Sequence, residues 1–371
     1  MRIAIDIRPL AEGPSGVATY LRNLVPPMLA LATPHEFFLV FDASRRPATL
    51  DGFTGGRGVA LPVASAPEIV WEQWRLPLAL RQHRIDVFHR PSGAGGLALQ
   101  ALAGSRVVVT VHDAIPLIYR DDYLRSAAHR AFFAFQMRLS RRADAVITVS
   151  KTSKRDLVRI GRFPDAKIVV IGEGVDRELL SSIPVDMPER ASTGIAPYVL
   201  AMGAGEPRKN VARVIEGFLR VADRINHRLL LVGAPWRGLR ATLPTGAALA
   251  GRIQDLGAVT NAELRALYRQ AAAFIYPSLY EGFGLPVLEA MAGGTPVITS
   301  RAGSLEEIAG DAALYVDPQD ASAIGNAILE VLADPVRRSM LVAAGHARVR
   351  LFSWDTAARQ TIAVYERVAA G

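Results

Sequence analysis

The sequence predicts an α/β protein of two doubly wound, Rossmann-like domains that face each other across a cleft. Short apolar runs alternate with longer helical patterns, which is typical of parallel sheets covered by helices on both faces. This alternation occurs twice along the 371 residues, and about 150 residues is an ordinary domain size. The segment 182–197 contains prolines, lacks apolar periodicity and separates the two series, so it is predicted to be a linker.

The first domain is predicted to span residues 1–188 and the second residues 189–353. Strands are predicted in the first domain at 2–7, 37–41, 87–89, 107–111, 145–149 and 168–171. Strands are predicted in the second at 198–202, 229–232, 273–276, 296–299 and 313–316. The last segment, 354–371, is amphipathic with no strand after it, and Ser353 is a suitable residue to begin a helix there.

Composition excludes several classes of protein. Half of the residues are hydrophobic and 21% are charged, so each domain can bury a core and an intrinsically disordered chain is excluded. Cysteine is absent, which excludes disulfide scaffolds, cysteine zinc sites and a cysteine nucleophile. No stretch approaches the ~20 apolar residues of a membrane span, and the N-terminus lacks the apolar core of a signal peptide. We therefore expect a soluble, cytoplasmic protein.

The formal charge of +8 leaves the class of partner open. Residues 1–190 contain 25 Lys and Arg against 19 Asp and Glu. Such an excess suits nucleic acid, an anionic membrane or an acidic substrate, and equally a solvated arginine-rich surface. Nucleic acid is least favoured, because no recognition helix or aromatic RNA motif is present. The helix predicted at 125–142 mixes arginine with phenylalanine and could lie peripherally on the inner face of an anionic membrane, or simply pack on the sheet.

The segment 276–292 is the most specific in the chain. It follows a predicted strand, and Pro286 suits the first turn of a helix. The unpaired N–H groups of a helix start attract anions. Gly282 and Gly284 would let the backbone approach a phosphate closely. The segment therefore predicts an anion site at the carboxyl end of a strand.

Two carboxylates in this segment, Glu281 and Glu289, are eight positions apart. Carboxylates accept hydrogen bonds from hydroxyl groups, so the pair could hold a sugar ring and a ribose at opposite ends of one ligand. Glutamates at this spacing are common by chance and could equally be solvated. The glycines and the helix start between them favour ligand binding.

A basic turn follows the first strand of the second domain, where Arg208 and Lys209 are adjacent. Arginine forms forked hydrogen bonds and lysine carries a compact charge, a combination that suits a diphosphate. Lys209 is the only lysine after residue 190, which indicates a specific requirement for it. The glycine spacing matches neither a P-loop nor the dinucleotide fingerprint. The alternative is a solvated basic turn.

Two further strand ends in the first half carry candidate residues. His112 and Asp113 follow the strand at 107–111, at the edge where open parallel sheets bind ligands. His112 could donate to a sugar hydroxyl or to developing charge, or it could be a structural histidine. Gly16 follows the first strand and opens a helix, where the backbone can approach a ligand.

Together these motifs resemble the family-4 retaining glycosyltransferases of the GT-B fold. The similarity covers nearly the whole chain, through the segments 16–20, 111–113, 206–210, 281–290, 293–297 and 303–307. It implies a hexosyltransferase of polysaccharide or lipopolysaccharide biosynthesis that acts on a glycan or polyprenyl-diphosphate-linked acceptor. The donor it first suggests is GDP-mannose, with UDP- and dTDP-sugars open. It also implies that the final helix, 354–371, packs back on the first domain.

The resemblance assigns roles to the motif residues in four sets. Catalysis is assigned to His112, Arg208, Lys209 and Glu281. Contact with the donor phosphates is assigned to Gly16, Arg208, Lys209, Phe283, Gly284 and Leu285. Contact with the transferred sugar is assigned to His112, Glu281, Gly282 and Phe283, and contact with the nucleoside to Val259 and Glu289.

One departure from the family is visible. Many members place an extra arginine near position 203 or 204, where this chain has Gly203 and Ala204, so Arg208 is expected to carry more of the phosphate charge. The Asp-x-Asp metal motif of the other large transferase fold is missing, and we expect neither a metal nor another cofactor. The alternatives are a nucleotide-sugar epimerase or hydrolase on the same fold and, in another class, a basic nucleic-acid-binding protein.

Overall fold

The computed structural model describes residues 1–13, 15–54, 57–92, 104–175, 179, 197–233 and 251–371. The chain divides into two compact units, residues 1–174 with 353–371, and residues 175–352. Each unit contains one parallel sheet, as predicted for two Rossmann-like domains. The predicted boundary at 188/189 and most of the predicted linker lie outside the described residues.

The sheet of the first unit has seven strands in the order β3-β2-β1-β4-β5-β6-β7. They are β1 Arg2–Asp6, β2 Glu36–Asp42, β3 Gly58–Val63, β4 Val87–Arg90, β5 Arg106–Thr110, β6 Ala145–Thr148 and β7 Ile168–Val170. Every neighbouring pair is parallel. The order reverses between β1 and β4, which makes their carboxyl ends the topological switch point where such sheets bind ligands.

The sheet of the second unit has six parallel strands in the order β10-β9-β8-β11-β12-β13. They are β8 Tyr198–Ala204, β9 Arg228–Gly233, β10 Ile253–Asp255, β11 Ala273–Tyr276, β12 Val297–Thr299 and β13 Ala313–Tyr315. The order reverses between β8 and β11. The loops that leave these two neighbouring strands carry the basic turn and the Glu281 segment, so the topology brings the two motifs together.

Two strands, β3 and β10, are missing from the sequence prediction, and both lie at the edge of a sheet. β3 contains Pro62, which has no N–H to donate and is therefore tolerated on an edge. Half of its residues are exposed, so it lacks the continuous apolar run of the other strands. β10 has three residues, too few to show a pattern.

Helices cover both sheets. In the first unit they are Gly16–Ala30, Leu50–Thr54, Glu68–Val70, the π-helix Trp71–Arg75, Leu76–Gln82, Ile115–Ile118, Arg120–Tyr123, Ala127–Ser140, Lys151–Arg159 and Trp354–Ala370, with 3₁₀ turns Arg8–Ala11 and Asp165–Lys167. In the second they are Val211–Leu219, Asn261–Gln270, Leu285–Ala292, Leu305–Ala309, Ala321–Ala333 and Pro335–Val349, with 3₁₀ turns Pro207–Lys209, Ala222–Arg224 and Gly310–Ala312. Among the described residues, none of these helices combines the length and apolarity needed to cross a membrane.

The final helix, Trp354–Ala370, belongs to the first unit. Its N-cap is Ser353, whose side chain accepts from the N–H of Thr356 at 3.4 Å. The helix packs against Gly16–Ala30 and over β4, β5 and β6, where it buries the ring of Tyr365. The last part of the chain therefore completes the core of the first unit.

Two glycines set the distance between a pair of helices in the second unit. Val211–Leu219 packs against Ala321–Ala333, and Gly217 and Gly325 lie where the backbones meet. A Cβ at position 217 would lie 2.8 Å from the carbonyl oxygen of Ala321. The pair can approach this closely only without side chains at these positions.

We expect Gly217→Ala to lower the free energy of unfolding by about 1–3 kcal/mol, because the added methyl group forces the helices apart. Urea unfolding followed by circular dichroism measures the change. Gly251→Ala in the same unit is the control, since a Cβ there meets no atom within 4 Å, and it should leave stability nearly unchanged. Equal stabilities of the two variants would contradict the packing described.

Candidate active site

The site in the second unit is organised around one buried carboxylate. Glu281 is 5% exposed. Its Oε1 accepts from Lys209 Nζ at 2.8 Å and from Tyr276 Oη at 2.7 Å. The same oxygen accepts from Ser278 Oγ at 2.8 Å, while Oε2 pairs with Arg208 Nη1 at 2.7 Å. Four donors from two loops therefore converge on Glu281, and the two predicted cations lie on either side of it.

The electrostatics of this cluster follow from its burial. Burial by itself raises the pKa of Glu281, but the charges of Lys209 and Arg208 outweigh it and hold the pKa below its ordinary value of 4.5. Burial raises the pKa of Tyr276 well above 10, and the charge of Glu281 raises it further. At neutral pH the cluster contains two cations, the buried carboxylate and a neutral phenol, and the exposed Glu206, which also pairs with Arg208, brings the charges into balance.

Both cations are fixed in place and still reach solvent. The side chains of Arg208 and Lys209 are each 12% exposed. Arg208 also pairs with Glu206 at 2.8 Å and donates to the carbonyl oxygen of Tyr280 at 3.0 Å. Lys209 donates to Tyr276 Oη and lies 4.8 Å from the centre of that ring. Their positive charge is therefore presented in a defined position, as anion recognition requires.

Hydrogen bonds join the loop after β8 directly to the loop after β11. The carbonyl oxygen of Arg208 accepts from the N–H of Leu279 at 2.7 Å. Asn210 has a left-handed backbone and donates through Nδ2 to the carbonyl oxygen of Pro277 at 3.1 Å. These hydrogen bonds fix the positions of Arg208 and Lys209 relative to Glu281.

The small residue at position 203 has a steric reason. Gly203 has a φ of +110°, and a Cβ there would lie 2.5 Å from Cβ and Cγ of Lys209. A side chain at position 203 would therefore displace Lys209. The observed position of the lysine therefore requires glycine at position 203.

The helix start predicted beside Glu281 is present. Gly284 is its N-cap with a left-handed φ of +111°, and Pro286 lies in the first turn of Leu285–Ala292, as predicted. Pro286 has no N–H, and the N–H of Val287 donates back to the carbonyl oxygen of Gly284 at 3.0 Å. Ser304 Oγ donates to the carbonyl oxygen of Phe283 at 2.6 Å and fixes the approach to the helix. The amides assigned to the phosphates therefore lie in a constrained turn.

The residues assigned to the nucleoside lie on another part of the same unit. Glu289, in the helix Leu285–Ala292, accepts from Tyr268 Oη at 3.2 Å. Tyr268 belongs to the helix Asn261–Gln270, whose N-cap is Thr260. Val259 immediately precedes that cap and is half-buried. The helix Asn261–Gln270 thus links the two residues: its Tyr268 contacts Glu289, and Val259 precedes its N-cap.

Gly16 and His112 lie in the first unit. Gly16 is exposed and is the first residue of its helix, after the N-cap Ser15. His112 follows β5, and its Nε2 lies 3.0 Å from the carbonyl oxygen of Pro91. Its Nδ1 lies 3.3 Å from Oε1 of the buried Glu173. His112 is thus paired with a buried carboxylate rather than isolated.

Three polar residues of these sites are missing from the sequence prediction: Tyr276, Ser278 and Glu173. Each is at or just after the end of a strand, so the rule that ligand sites lie at carboxyl ends of parallel strands could have indicated them. What the sequence could not show is that Tyr276 and Ser278 point at the same oxygen atom. Among the described residues, no three His, Asp or Glu side chains are grouped so as to hold a metal ion.

Two family profiles match the chain. The profile described as Glycosyltransferase Family 4 matches residues 14–179, and the one described as Glycosyl transferases group 1 matches residues 196–334. O-antigen chain mannosyltransferase B from Escherichia coli is 29% identical, with 99% of this chain and 100% of that protein covered. MMP alpha-(1->4)-mannosyltransferase from Mycolicibacterium hassiacum is 31% identical, with 79% and 73% covered.

The same similarity extends to solved structures. HepE from Anabaena, solved in complex with UDP-glucose, superposes with a TM-score of 0.74 at 17% identity. The superposition covers 100% of both chains. At this level of identity the likeness concerns the fold, which is the one predicted from the sequence.

We expect Glu281→Gln to lower the free energy of unfolding at pH 7 by about 3–5 kcal/mol, because it leaves two buried cations without their shared counter-ion. The lowered pKa of Glu281 means that this stabilisation is present above 4.5 and is lost as the pH falls through the folded-state pKa. The difference in the free energy of unfolding between the wild type and Glu281→Gln should therefore shrink below about pH 4.3. Urea unfolding at a series of pH values measures it.

Glu206→Gln is the matched control, because Glu206 pairs with the same Arg208 but is exposed. Its loss should change stability by about 0–1 kcal/mol. If Glu281→Gln were no more destabilising than Glu206→Gln, the buried carboxylate would not be the centre of the site.

Proposed function

This chain belongs to glycosyltransferase family 4, and from that premise we propose that it transfers mannose from GDP-mannose to a glycan or polyprenyl-diphosphate-linked acceptor. It is a GT-B hexosyltransferase of polysaccharide biosynthesis. The choice of mannose is supported by the relatives, which are mannosyltransferases by name. The choice of a nucleotide-sugar donor is supported by the fold shared with HepE, which was solved with UDP-glucose.

The observation that carries the proposal is the pair of cations held by Glu281 at the switch point of the second sheet. When a sugar–phosphate bond breaks, the diphosphate gains negative charge and the sugar becomes cation-like. Donors already oriented toward that charge lower the barrier, because they need no reorganisation during the reaction. Arg208, Lys209 and the amides of Phe283 to Leu285 are such donors.

The remaining assignments concern the ribose, the base, the phosphates and the sugar of the donor. Glu289 is proposed to hold the ribose diol, Val259 to border the base, and Gly16 to approach the phosphates. Gly282 and Phe283 are proposed to line the sugar, with His112 near the anomeric carbon. Each of these roles comes from the family resemblance.

Glu281 is proposed to act mainly through its neighbours. Its two oxygens already accept from four donors, so contact with the sugar would require it to give one of them up. Its first role is therefore to position Arg208 and Lys209.

Transfer is proposed to proceed with retention at the front face of the sugar. The acceptor oxygen forms the new bond to the anomeric carbon as the bond to the phosphate breaks, and the departing phosphate accepts the acceptor proton. The two cations of the site meet the charge of the leaving group, and we propose that no further cofactor is required.

Lys209→Ala should lower turnover by about 10²–10³, because it removes one donor to the leaving group. Release of GDP from GDP-mannose in the presence of a mannoside acceptor, resolved by chromatography, measures it. Lys154→Ala, in an exposed ion pair of the first unit, should retain activity. Near-normal turnover of Lys209→Ala would contradict the assignment, and conversion of donor into another nucleotide-sugar without acceptor would favour an epimerase.

A thermal-shift screen with GDP, UDP, dTDP and ADP tests the donor base. At equal nucleotide concentrations, GDP should raise the free energy of unfolding most. At a concentration 100 times its Kd, the increase is about 2.7 kcal/mol. A larger shift with UDP and none with GDP would overturn the choice of donor but not the family. The shift should be much smaller for Lys209→Ala, since that variant lacks a phosphate ligand.

Peripheral contact with an anionic membrane is also proposed, and the helix Ala127–Ser140 supports it. Phe132 and Phe135 are 54% and 56% exposed, which is unusual for large apolar side chains on a helix of a globular unit. The same helix carries the exposed Arg130. Aromatic residues beside cations are the pattern of helices that lie in the membrane interface.

Co-sedimentation with vesicles containing about 30% anionic lipid tests this contact. Phe132→Ser/Phe135→Ser should bind several-fold more weakly than the wild type, because the variant buries less apolar area in the interface. The control is Trp74→Ser/Leu78→Ser, which removes exposed apolar side chains from the adjoining helices Trp71–Arg75 and Leu76–Gln82 of the same unit. Vesicle binding that does not depend on the anionic lipid content would contradict the proposal. So would binding that is weakened by Trp74→Ser/Leu78→Ser and not by Phe132→Ser/Phe135→Ser.

A further inference from the structure

A buried carboxylate of the first unit lies against His112. Glu173 follows β7 and reaches across the end of β6 to His112, which follows β5. Oε1 of Glu173 lies 3.3 Å from Nδ1 of the ring, and the carboxylate is nearly inaccessible to solvent. On the other side, Nε2 lies 3.0 Å from the carbonyl oxygen of Pro91. The ring is thus held at both nitrogens.

The chemistry of these two partners fixes the protonation of the ring. A backbone carbonyl can only accept a hydrogen bond, and an ionised carboxylate can only accept. With Glu173 ionised, both contacts are hydrogen bonds only when both ring nitrogens carry a hydrogen, which makes the ring an imidazolium. Tyr20 places its ring edge-on at 4.9 Å and fixes the orientation of His112 further.

The charged groups around the ring act in the same direction. Burial lowers the pKa of His112, but the hydrogen bond and charge of Glu173 outweigh it, and Asp113 and the Pro91 carbonyl raise the pKa further. The buried His89 is neutral at pH 7, because burial and the charge of His112 both lower its pKa, so it adds no opposing charge. The net effect is a pKa above the ordinary value of 6.5.

His89 shows that the pairing, and not burial alone, decides the charge. Its Nε2 lies 2.8 Å from Thr110 Oγ1 and its Nδ1 lies 2.6 Å from Tyr365 Oη. Hydroxyl groups can donate or accept, so a neutral ring satisfies both contacts. Burial lowers the pKa of His89 to about 3. Two histidines of one sheet are therefore held in opposite charge states by their partners.

We propose that Glu173 is a positioning residue that keeps His112 protonated and fixed in orientation, so that His112 serves the reaction as a cation and never as a base. The part that concerns the reaction rests on the proposed function. An imidazolium cannot take the proton of the acceptor hydroxyl. It can stabilise negative charge that develops near the ring, and 20% of the His112 side chain is exposed.

The charge state can be measured without any substrate. Two-bond ¹H–¹⁵N spectra of protein labelled in its histidines, recorded from pH 5.5 to 8.5, report the protonation of each ring. His112→Gln and His89→Gln assign the two signals. In the wild type, His112 should keep an imidazolium pattern at pH 7.5 and His89 a neutral pattern throughout. A wild-type His112 that titrates near its ordinary pKa of about 6.5 would overturn the proposal.

Glu173→Gln tests the role of the carboxylate, because it keeps the shape and removes the charge. His112 should then titrate near pH 6.5, whereas Asp113→Asn, which removes a charge without direct contact, should shift the midpoint less. The wild-type titration decides the charge state even if Glu173→Gln does not fold. A Glu173→Gln protein with an unchanged His112 signal would contradict the positioning role.

The pH dependence of turnover tests the link to the reaction. In Glu173→Gln, kcat should rise about 25-fold as the pH falls from 8 to 6 relative to the wild type, following protonation of a ring with a pKa of about 6.5. His112→Gln should be slow at every pH. A Glu173→Gln kcat that ignores pH while the ring titrates would refute the catalytic part. A wild type that transfers no sugar from any nucleotide-sugar would instead count against the proposed function, and the spectra would still decide the positioning.

Discussion

The structure of the site depends on one buried carboxylate that is shared by two cations. Burying a charge is costly unless it is paired and fully hydrogen-bonded, and Glu281 meets that condition with four donors. Glu281 holds Arg208 and Lys209, which lie on a different loop, close to each other even though their positive charges repel. Their positions are thus set before any ligand arrives, which is what electrostatic preorganisation means physically.

The first unit uses the same principle with one basic side chain in place of two. There the acid, Glu173, is the fixed partner and His112 is the group whose state it determines. Nearby His89 is held neutral by the hydroxyl groups of Thr110 and Tyr365. In both units the parallel sheet supplies loops at the carboxyl ends of its strands, and a buried carboxylate on one loop pairs with a basic side chain of another.

The sequence was sufficient for the fold and for the grouping of the motifs, because the apolar runs mark buried parallel strands and the motifs follow them. It missed β3, whose edge position tolerates Pro62, and β10, which is too short to show a pattern. It predicted a role for Arg208 and Lys209 but not their contact with Glu281, since four donors on one carboxylate is a property of side-chain packing. The role of Gly203 against Lys209 is likewise a steric fact that spacing cannot show.

The central claim is that the cations held by Glu281 bind the diphosphate of the donor. Titration calorimetry with GDP and GMP, and with UDP and UMP, on the wild type and Lys209→Ala tests it most directly, because each pair differs by one phosphate. The account predicts that the wild type prefers the diphosphate by about tenfold or more, as expected for a charged hydrogen bond, and that Lys209→Ala loses most of this preference. An equal preference in the two proteins would contradict it.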